Sequence, residues 1–279
     1  MPTRPGLLDC VERYAAAAPL PDARPVPVGA LDVPVGPPAW PHPARPRPGA
    51  GAVSADDVRA AAALQEQEGL PAAVEWIVQR TPSLDAAARR AGLLVSHFPL
   101  LVVDDPVEVL LPAGVRLYVV GAEDPALPHY QHLLETGFAA HHDDGTDDGT
   151  DDDPEDGADG ATLPEPRAAV LRERVASGRT VVMVAIEDGE PVGVGSHHPV
   201  DVDGTEISEI VGVASSPRRR GRGVGAALAS ALVAQAAETA DLVFLTAGDD
   251  DVARVYERVG FAWLGSTGVA ARPPERPHG

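Results

Sequence analysis

The stretch from 205 to 226, TEISEIVGVASSPRRRGRGVGA, constrains the chain more than any other. Ile207, Ile210, Val211 and Val213 are apolar and β-branched, which favours a buried strand. Pro217 ends it. Arg218, Arg219, Arg220, Gly221, Arg222, Gly223, Val224 and Gly225 follow, and then an Ala/Leu run with Leu228 and Leu232 one helical turn apart. The order is strand, basic glycine-rich turn, helix. It sets the unpaired N–H groups and positive dipole end of a helix beside backbone that a ligand can approach closely, and it suits a phosphate or pyrophosphate. A P-loop needs Lys-Ser/Thr after its last glycine, where Ala226 and Ala227 stand. A dinucleotide fingerprint on Gly221, Gly223 and Ala226 would have to follow its strand directly, but residues 214 to 220 intervene.

The remaining pattern is Arg220-x-x-Gly223-x-Gly225. It resembles the acyl-CoA pyrophosphate loop of the GNAT superfamily of N-acetyltransferases. A second stretch, DDDVARVYERVGF at 249–261, resembles a later helix and strand of the same family, with Tyr256, Gly260 and Phe261 in the matching places. Where the family often has Asn, this chain has Asp249. The resemblance covers roughly 114–272 and is silent on 1–113. It implies an α/β (α+β) fold, a mixed, mostly antiparallel central sheet flanked by helices, here with an added N-terminal α/β subdomain. It also implies acetyl-CoA as co-substrate, an amine acceptor (small molecule or peptide) and, at family level, a homodimer.

Composition narrows the alternatives. The net charge is −20, and every basic residue is Arg. The one Arg cluster is the loop at 218–222, so no broad basic face exists for nucleic acid. An acidic surface attracts cationic acceptors such as amines and polyamines, although salt screens this beyond about 8 Å. Cys10 is the only cysteine, which excludes an internal disulfide. No Cys/His spacing points to a metal. No apolar run approaches the ~18 residues of a membrane span, and Asp9, Glu12 and Arg13 interrupt any leader, so the expected location is cytoplasmic.

Along the chain, residues 7–18 read as a helix, 19–50 as Pro-rich with a strand near 28–35, and Ser54 with Asp57 as the cap of a helix to Gln67. Pro71 reads as the start of a helix carrying Val74, Trp76, Ile77 and Val78. Pro82 and Ser83 open another that Gly92 stops. Short strands follow at 93–95, 99–103 and 107–111. In this N-terminal part Glu75 and Trp76 are pocket candidates, with a packed Trp beside a solvated Glu as the plainer reading. Val115 to Val120 is a strand, and a helix from Asp124 to Glu135 is closed by Gly137. His129 and His132 on that helix read as surface or half-buried residues. Residues 143–160 hold nine Asp and one Glu with no basic residue, which reads as a solvated, disordered insertion rather than a calcium loop. A helix at 165–176 and two strands joined at Glu187-Asp188-Gly189-Glu190 lead into the central motif. His197 and His198, adjacent on the second strand, must point to opposite faces. The tail 273–279 reads as loose.

Acyl transfer to an amine needs a phosphate cradle, a base, an oxyanion donor and an acid for the leaving thiolate. The cradle is the backbone from Arg220 to Gly225, with Arg218, Arg219 and Arg222 as candidate phosphate contacts. Glu209 is the candidate base. It opens a Glu-Ile-Val segment eleven residues before Arg220, the type and spacing of the catalytic Glu in the histone-acetylating branch of the superfamily. Glu206 is the reserve. Strand alternation places Glu209, Val211, Val213 and Ser215 on one face unless a bulge intervenes. The resemblance assigns acyl and pantetheine contacts to the backbone of Val213, Ala214 and Ser215, and the role of acid to Tyr256. The expected mechanism is direct attack in a ternary complex. A non-catalytic acyl-CoA-binding or interaction protein, and a nucleotide-binding oxidoreductase, stay open at this point.

Overall fold

The computed structural model describes residues 3–142, 162–219 and 221–272. The acidic segment at 143–160, Arg220 and the tail at 273–279 lie outside the described residues. In chain order the elements are α1 (Arg4–Ala17), β1 (Arg24–Val28), β2 (Leu31–Val35), β3 (Arg45–Pro46), α2 (Ala55–Gln67), β4 (Ala73–Ile77), α3 (Ser83–Arg90), β5 (Leu94–Val103), β6 (Val115–Val120), α4 (Leu127–His142), α5 (Glu165–Ala176), β7 (Val181–Glu187), β8 (Glu190–Val202), β9 (Thr205–Ser215), α6 (Val224–Ala236), β10 (Leu242–Thr246), α7 (Asp250–Glu257) and β11 (Phe261–Ala271).

Eight strands form one sheet in the order β4-β11-β5-β10-β9-β8-β7-β6, antiparallel except for the β9/β10 pair. β1, β2 and β3 form a separate small sheet. The large sheet crosses the boundary expected at 113: β4 and β5 come from before it, and β5 lies between β10 and β11. Period-two alternation divides the strand side chains between two layers. Ile210 and Leu245 pack under α6 and α7 with Leu228, Leu232, Ala253 and Tyr256. On the other face Ile207, Leu100 and Phe244 meet Leu8, Val11 and Tyr14 of α1. Farther along that face Val182, Val184 and Val194 meet Leu134 of α4 and Leu171 of α5.

Local signals held where the chain supplies its own partners. Ser54 and Asp57 form a reciprocal capping box at α2. Asp188 and Gly189, with φ of 53° and 88°, make the tight β7–β8 hairpin turn. Tertiary pairing overrode three expectations. The segment after Pro71 is strand β4, not helix, because Val74 and Trp76 alternate inward while its backbone pairs with β11. Residues 107–111 are extended but join no ladder: Ser230 of α6 donates to the Val107 carbonyl and accepts from the Val109 N–H. The helix expected to stop before Gly137 runs on to His142. Gly137 is a close-approach residue, since a Cβ there would lie 2.7 Å from the Cβ of Ala214 on β9.

Candidate active site

β9 and β10 run side by side over only three register pairs, Ile207–Leu242, Ser208–Val243 and Glu209–Phe244. β9 then continues to Ser215 against β8, while Thr246 of β10 pairs with β5. The two strands therefore part at Glu209, and a gap opens in the sheet beyond it. The Ser216 N–H donates to the Val192 carbonyl at 3.0 Å. Bonded and non-bonded positions alternate in an antiparallel ladder, so the N–H groups of Val213 and Ser215 point away from β8, into the gap.

A bulge reorders the faces of β9. The β8/β9 register shifts between Gly195 and His197, leaving Val211 and Gly212 opposite Ser196, and Gly212 takes a φ of 80° that a side chain would resist. The single face expected for Glu209, Val211, Val213 and Ser215 is thus corrected. Glu209 opens toward the α1 side, whereas Val213 packs with the α6 cluster and Ala214 with the α4/α5 cluster.

On the α6 side, the short 3-10 turn Pro217–Arg219 leads through Gly221 (φ 73°) and Gly223 (φ 85°) into the helix. Gly223 is the N-cap residue of α6 and lies in the left-handed region. No side chain caps α6, so the first-turn N–H groups of Val224, Gly225 and Ala226 remain open. A Cβ on Gly221 or Gly223 would meet nothing within 4 Å, so their backbone is open to approach. These features fit a pyrophosphate. Two of the loop arginines are engaged with protein: Arg219 reaches the buried Glu187 carboxylate at 2.9 Å and Arg222 at 3.6 Å. Arg218 lies in the 3-10 turn. Asp249 is the N-cap of α7, where its carboxylate accepts the Val252 N–H at 2.7 Å.

On the opposite side lies a cavity of about 930 Å³. Its floor includes Ile210, Val211, Gly212 and Thr246 at the parting strands, and Glu209 opens into it. Its far wall comes from the N-terminal part of the chain: Tyr14 on α1, Trp40, His42, Arg45 and Glu75. α4 and α5 contribute Glu135, Arg167 and Arg174. Burial, reinforced by the Glu75 carboxylate and opposed by Arg45, pushes the Glu209 carboxyl up to about 7. The Tyr14 hydroxyl donates to the His198 carbonyl oxygen at 3.0 Å and also lies within hydrogen-bond reach of Glu209. It has one proton to share between them.

The two histidines separate as their adjacency requires. His197 turns to the α6 face, within hydrogen-bond distance of Ser208 at 2.7 Å and of Gln235. His198 lines the cavity, and burial with Arg174 nearby lowers it to about 3, which keeps it neutral and a poor proton acceptor. Glu206 is bonded through its N–H to Asp241 and does not line the cavity. Tyr256 sits in the α6/α7 core against Phe261, ring centroids 5.6 Å apart, and burial raises its hydroxyl above the usual phenol range. Glu209 and Tyr256 therefore belong to opposite faces of the sheet.

Sequence reading missed Tyr14, Trp40, His42, Arg45 and Arg174. None belongs to a motif, and Arg174 on α5 reads as one more charged helical residue until Trp40 is found 4.9 Å from it. Glu75 and Trp76 part company: Glu75 lines the cavity, while Trp76 is buried in the N-terminal core. Among the described residues no cluster of His, Cys, Asp and Glu forms a metal site, and no helix is long and apolar enough to cross a membrane.

A split parallel pair, an open helix N-terminus beside it and a carboxylate at the point of parting together form the candidate site. Residues 149–261 match the acetyltransferase (GNAT) family. No curated protein matches it by sequence. Among solved structures it is similar to a GCN5-related N-acetyltransferase from Kribbella flavida, with a TM-score of 0.64 and 23% identity over 95% of this chain and 96% of that one. It is also similar to a GNAT-family protein from Novosphingobium aromaticivorans, with a TM-score of 0.55 and 18% identity over 92% and 93% of the two chains. A tandem GNAT protein from the clavulanic acid biosynthesis pathway gives a TM-score of 0.53 and 17% identity over 88% of this chain and 79% of that one. At these identities the likeness is one of fold, and it extends over the N-terminal part as well as the matched domain.

Proposed function

We propose that the chain transfers an acetyl group from acetyl-CoA to a primary amine, with both substrates bound together and no acyl-enzyme. The observation that carries this reading is Glu209, a carboxylate raised to about 7 where the sheet opens and in the wall of the cavity. An amine attacks only as its free base, and an acceptor of protons works best with a pKa near the working pH. Glu209 meets that condition and His198 does not.

Acetyl-CoA, when bound, supplies the acetyl thioester. The backbone from Gly221 to Gly225 and the open first turn of α6 would hold its pyrophosphate. The N–H groups of Val213 and Ser215, facing the gap, would bind along its arm, with Ala214 between them. Glu209 takes the proton from the acceptor ammonium. Tyr256, whose hydroxyl stays protonated at neutral pH, gives a proton to the departing sulfur. Asp249 holds the start of the helix that carries Tyr256.

Calorimetric titration with acetyl-CoA, followed by amine-dependent thiol release, tests the reading. Micromolar binding and thiol release that requires an amine are expected. A folded chain that binds neither acetyl-CoA nor CoA, or a trapped acetyl-enzyme competent for transfer, overturns it.

A further inference from the structure

The overall charge of −20 favours cationic partners, yet the cavity is not a cation trap. Its carboxylates are mostly spent. Asp22, outside the lining, is shared by two arginines that belong to it, Arg174 and Arg179. Glu135 holds Arg167 at 2.8 Å, and Glu75 holds Arg45 at 3.2 Å. Asp201 is exposed and accepts the Gly204 N–H at 3.1 Å. Glu209 and the exposed Asp201 are the wall carboxylates with no guanidinium paired to them among the described residues, and of the two Glu209 is the one at the parting strands, the place for the reacting ammonium. A polyamine would bring further positive charges against four guanidinium groups.

The wall also offers donors with nothing to donate to. Arg45 Nε is buried and has no hydrogen-bond partner, although the same guanidinium reaches Glu75 through Nη2. His42 Nε2 is buried with no contact to an acceptor closer than the Asp22 carboxylate at 3.5 Å; burial keeps the ring neutral, and this nitrogen donates in the tautomer that carries its proton there. Buried donors of this kind are costly unless an oxygen arrives to accept from them. The planar fork of an arginine matches a carboxylate better than any other oxygen group. Arg45 stands close enough to Glu209 to act on its charge, and His42 is close enough to Arg45 for the same reason. An ammonium site and an anion site are therefore neighbours in one cavity.

Resting on the reading of Glu209 as the base, we infer that the acceptor is an amine that also carries a carboxylate a few atoms away, as a free amino acid does: the amine at Glu209, the carboxylate at Arg45 and His42. One proton leaves the ammonium for Glu209. The free amine attacks the thioester carbonyl, the C–N bond of the amide forms and the C–S bond breaks. Tyr256 gives its proton to the departing sulfur, and the second proton lost by the nitrogen restores the Tyr256 hydroxyl.

The test compares matched pairs as acceptors in the thiol-release assay: L-leucine with isoamylamine, L-phenylalanine with phenethylamine, L-ornithine with putrescine, and spermidine as the polycation. The carboxylated member of at least one pair is expected to give a kcat/KM about tenfold or more higher, the worth of a charge-assisted hydrogen bond. Amine basicity also differs within a pair, so the deciding readout is the ratio in Arg45→Gln, which should collapse toward one. Arg45→Lys, which keeps the charge without the fork, should retain part of it. A ratio near one in the unaltered protein, a ratio that Arg45→Gln leaves in place, or a preference for spermidine overturns the inference while amine acetylation itself stands. A chain that binds acetyl-CoA but turns over no carboxylated amine overturns it as well. Failure to bind acetyl-CoA removes the proposed function on which it rests.

Discussion

The two sides of the sheet were built in different ways. The α6 side is local: strand β9, the glycine-rich turn, α6, β10 and α7 follow one another from 205 to 257, and the cradle is backbone from a few consecutive residues. The cavity side is assembled from afar, with Tyr14, Arg45, Glu75, Arg174 and Glu209 brought together from two helices and three strands. A cradle made of N–H groups needs only glycines and a helix start, so it tolerates change in every other side chain. A cavity made of side chains is specific to the ligand it receives. The difference teaches that one half of such a site can stay constant while the other is rebuilt.

Variants should respect that division, and the largest effect tests it most sharply. Glu209→Gln is expected to lower kcat/KM by about 10²–10⁴ with acetyl-CoA affinity unchanged, the loss of a general base; a calorimetric Kd that rises as the rate falls would erase the division. Gly223→Asp should do the reverse. The left-handed N-cap position disfavours a side chain by about 1–2 kcal/mol, and a carboxylate there repels phosphate, so acetyl-CoA should bind about tenfold to a hundredfold more weakly. Normal acetyl-CoA affinity in that variant would move the cradle elsewhere.

The pH profile gives a subtler measure. With the Glu209 carboxyl pushed up to about 7 and the carboxylate as the proposed base, kcat/KM should fall as pH drops through about 7. The Tyr14 hydroxyl holds that pKa down, so Tyr14→Phe should move the acidic limb to higher pH while a plateau remains above it. A limb that stays in place would mean that the N-terminal helix only packs against the site. The smallest effect belongs to Asp249→Ala. As the cap of α7 it should cost about 1 kcal/mol, about 2 °C in Tm, with acetyl-CoA affinity intact. Weaker acetyl-CoA binding would instead give Asp249 a direct contact.

What could be read in the residues follows the same line. The capping box at Ser54, the hairpin at Asp188-Gly189 and the glycine-rich turn are each satisfied within a few residues, so pattern and structure agree. The segment 73–77 deceived because its partner, β11, lies almost two hundred residues away. Val213 was assigned to the wrong face because a bulge at Val211 and Gly212 is a matter of register with β8, and no alternation of side chains records it. Trp40, His42 and Arg45 sit in a Pro-rich stretch that carries no periodicity at all.

By itself, then, the sequence determined the resemblance to the GNAT superfamily, the glycine-rich turn that opens α6 and the candidacy of one carboxylate, because a helix N-terminus beside glycine is a local object that short-range chemistry specifies. Only the tertiary structure decided which groups face that carboxylate, where the sheet splits and which charges in the cavity are already paired. Those depend on contacts between distant segments, and burial, charge pairing and strand register exist only after the chain has closed on itself.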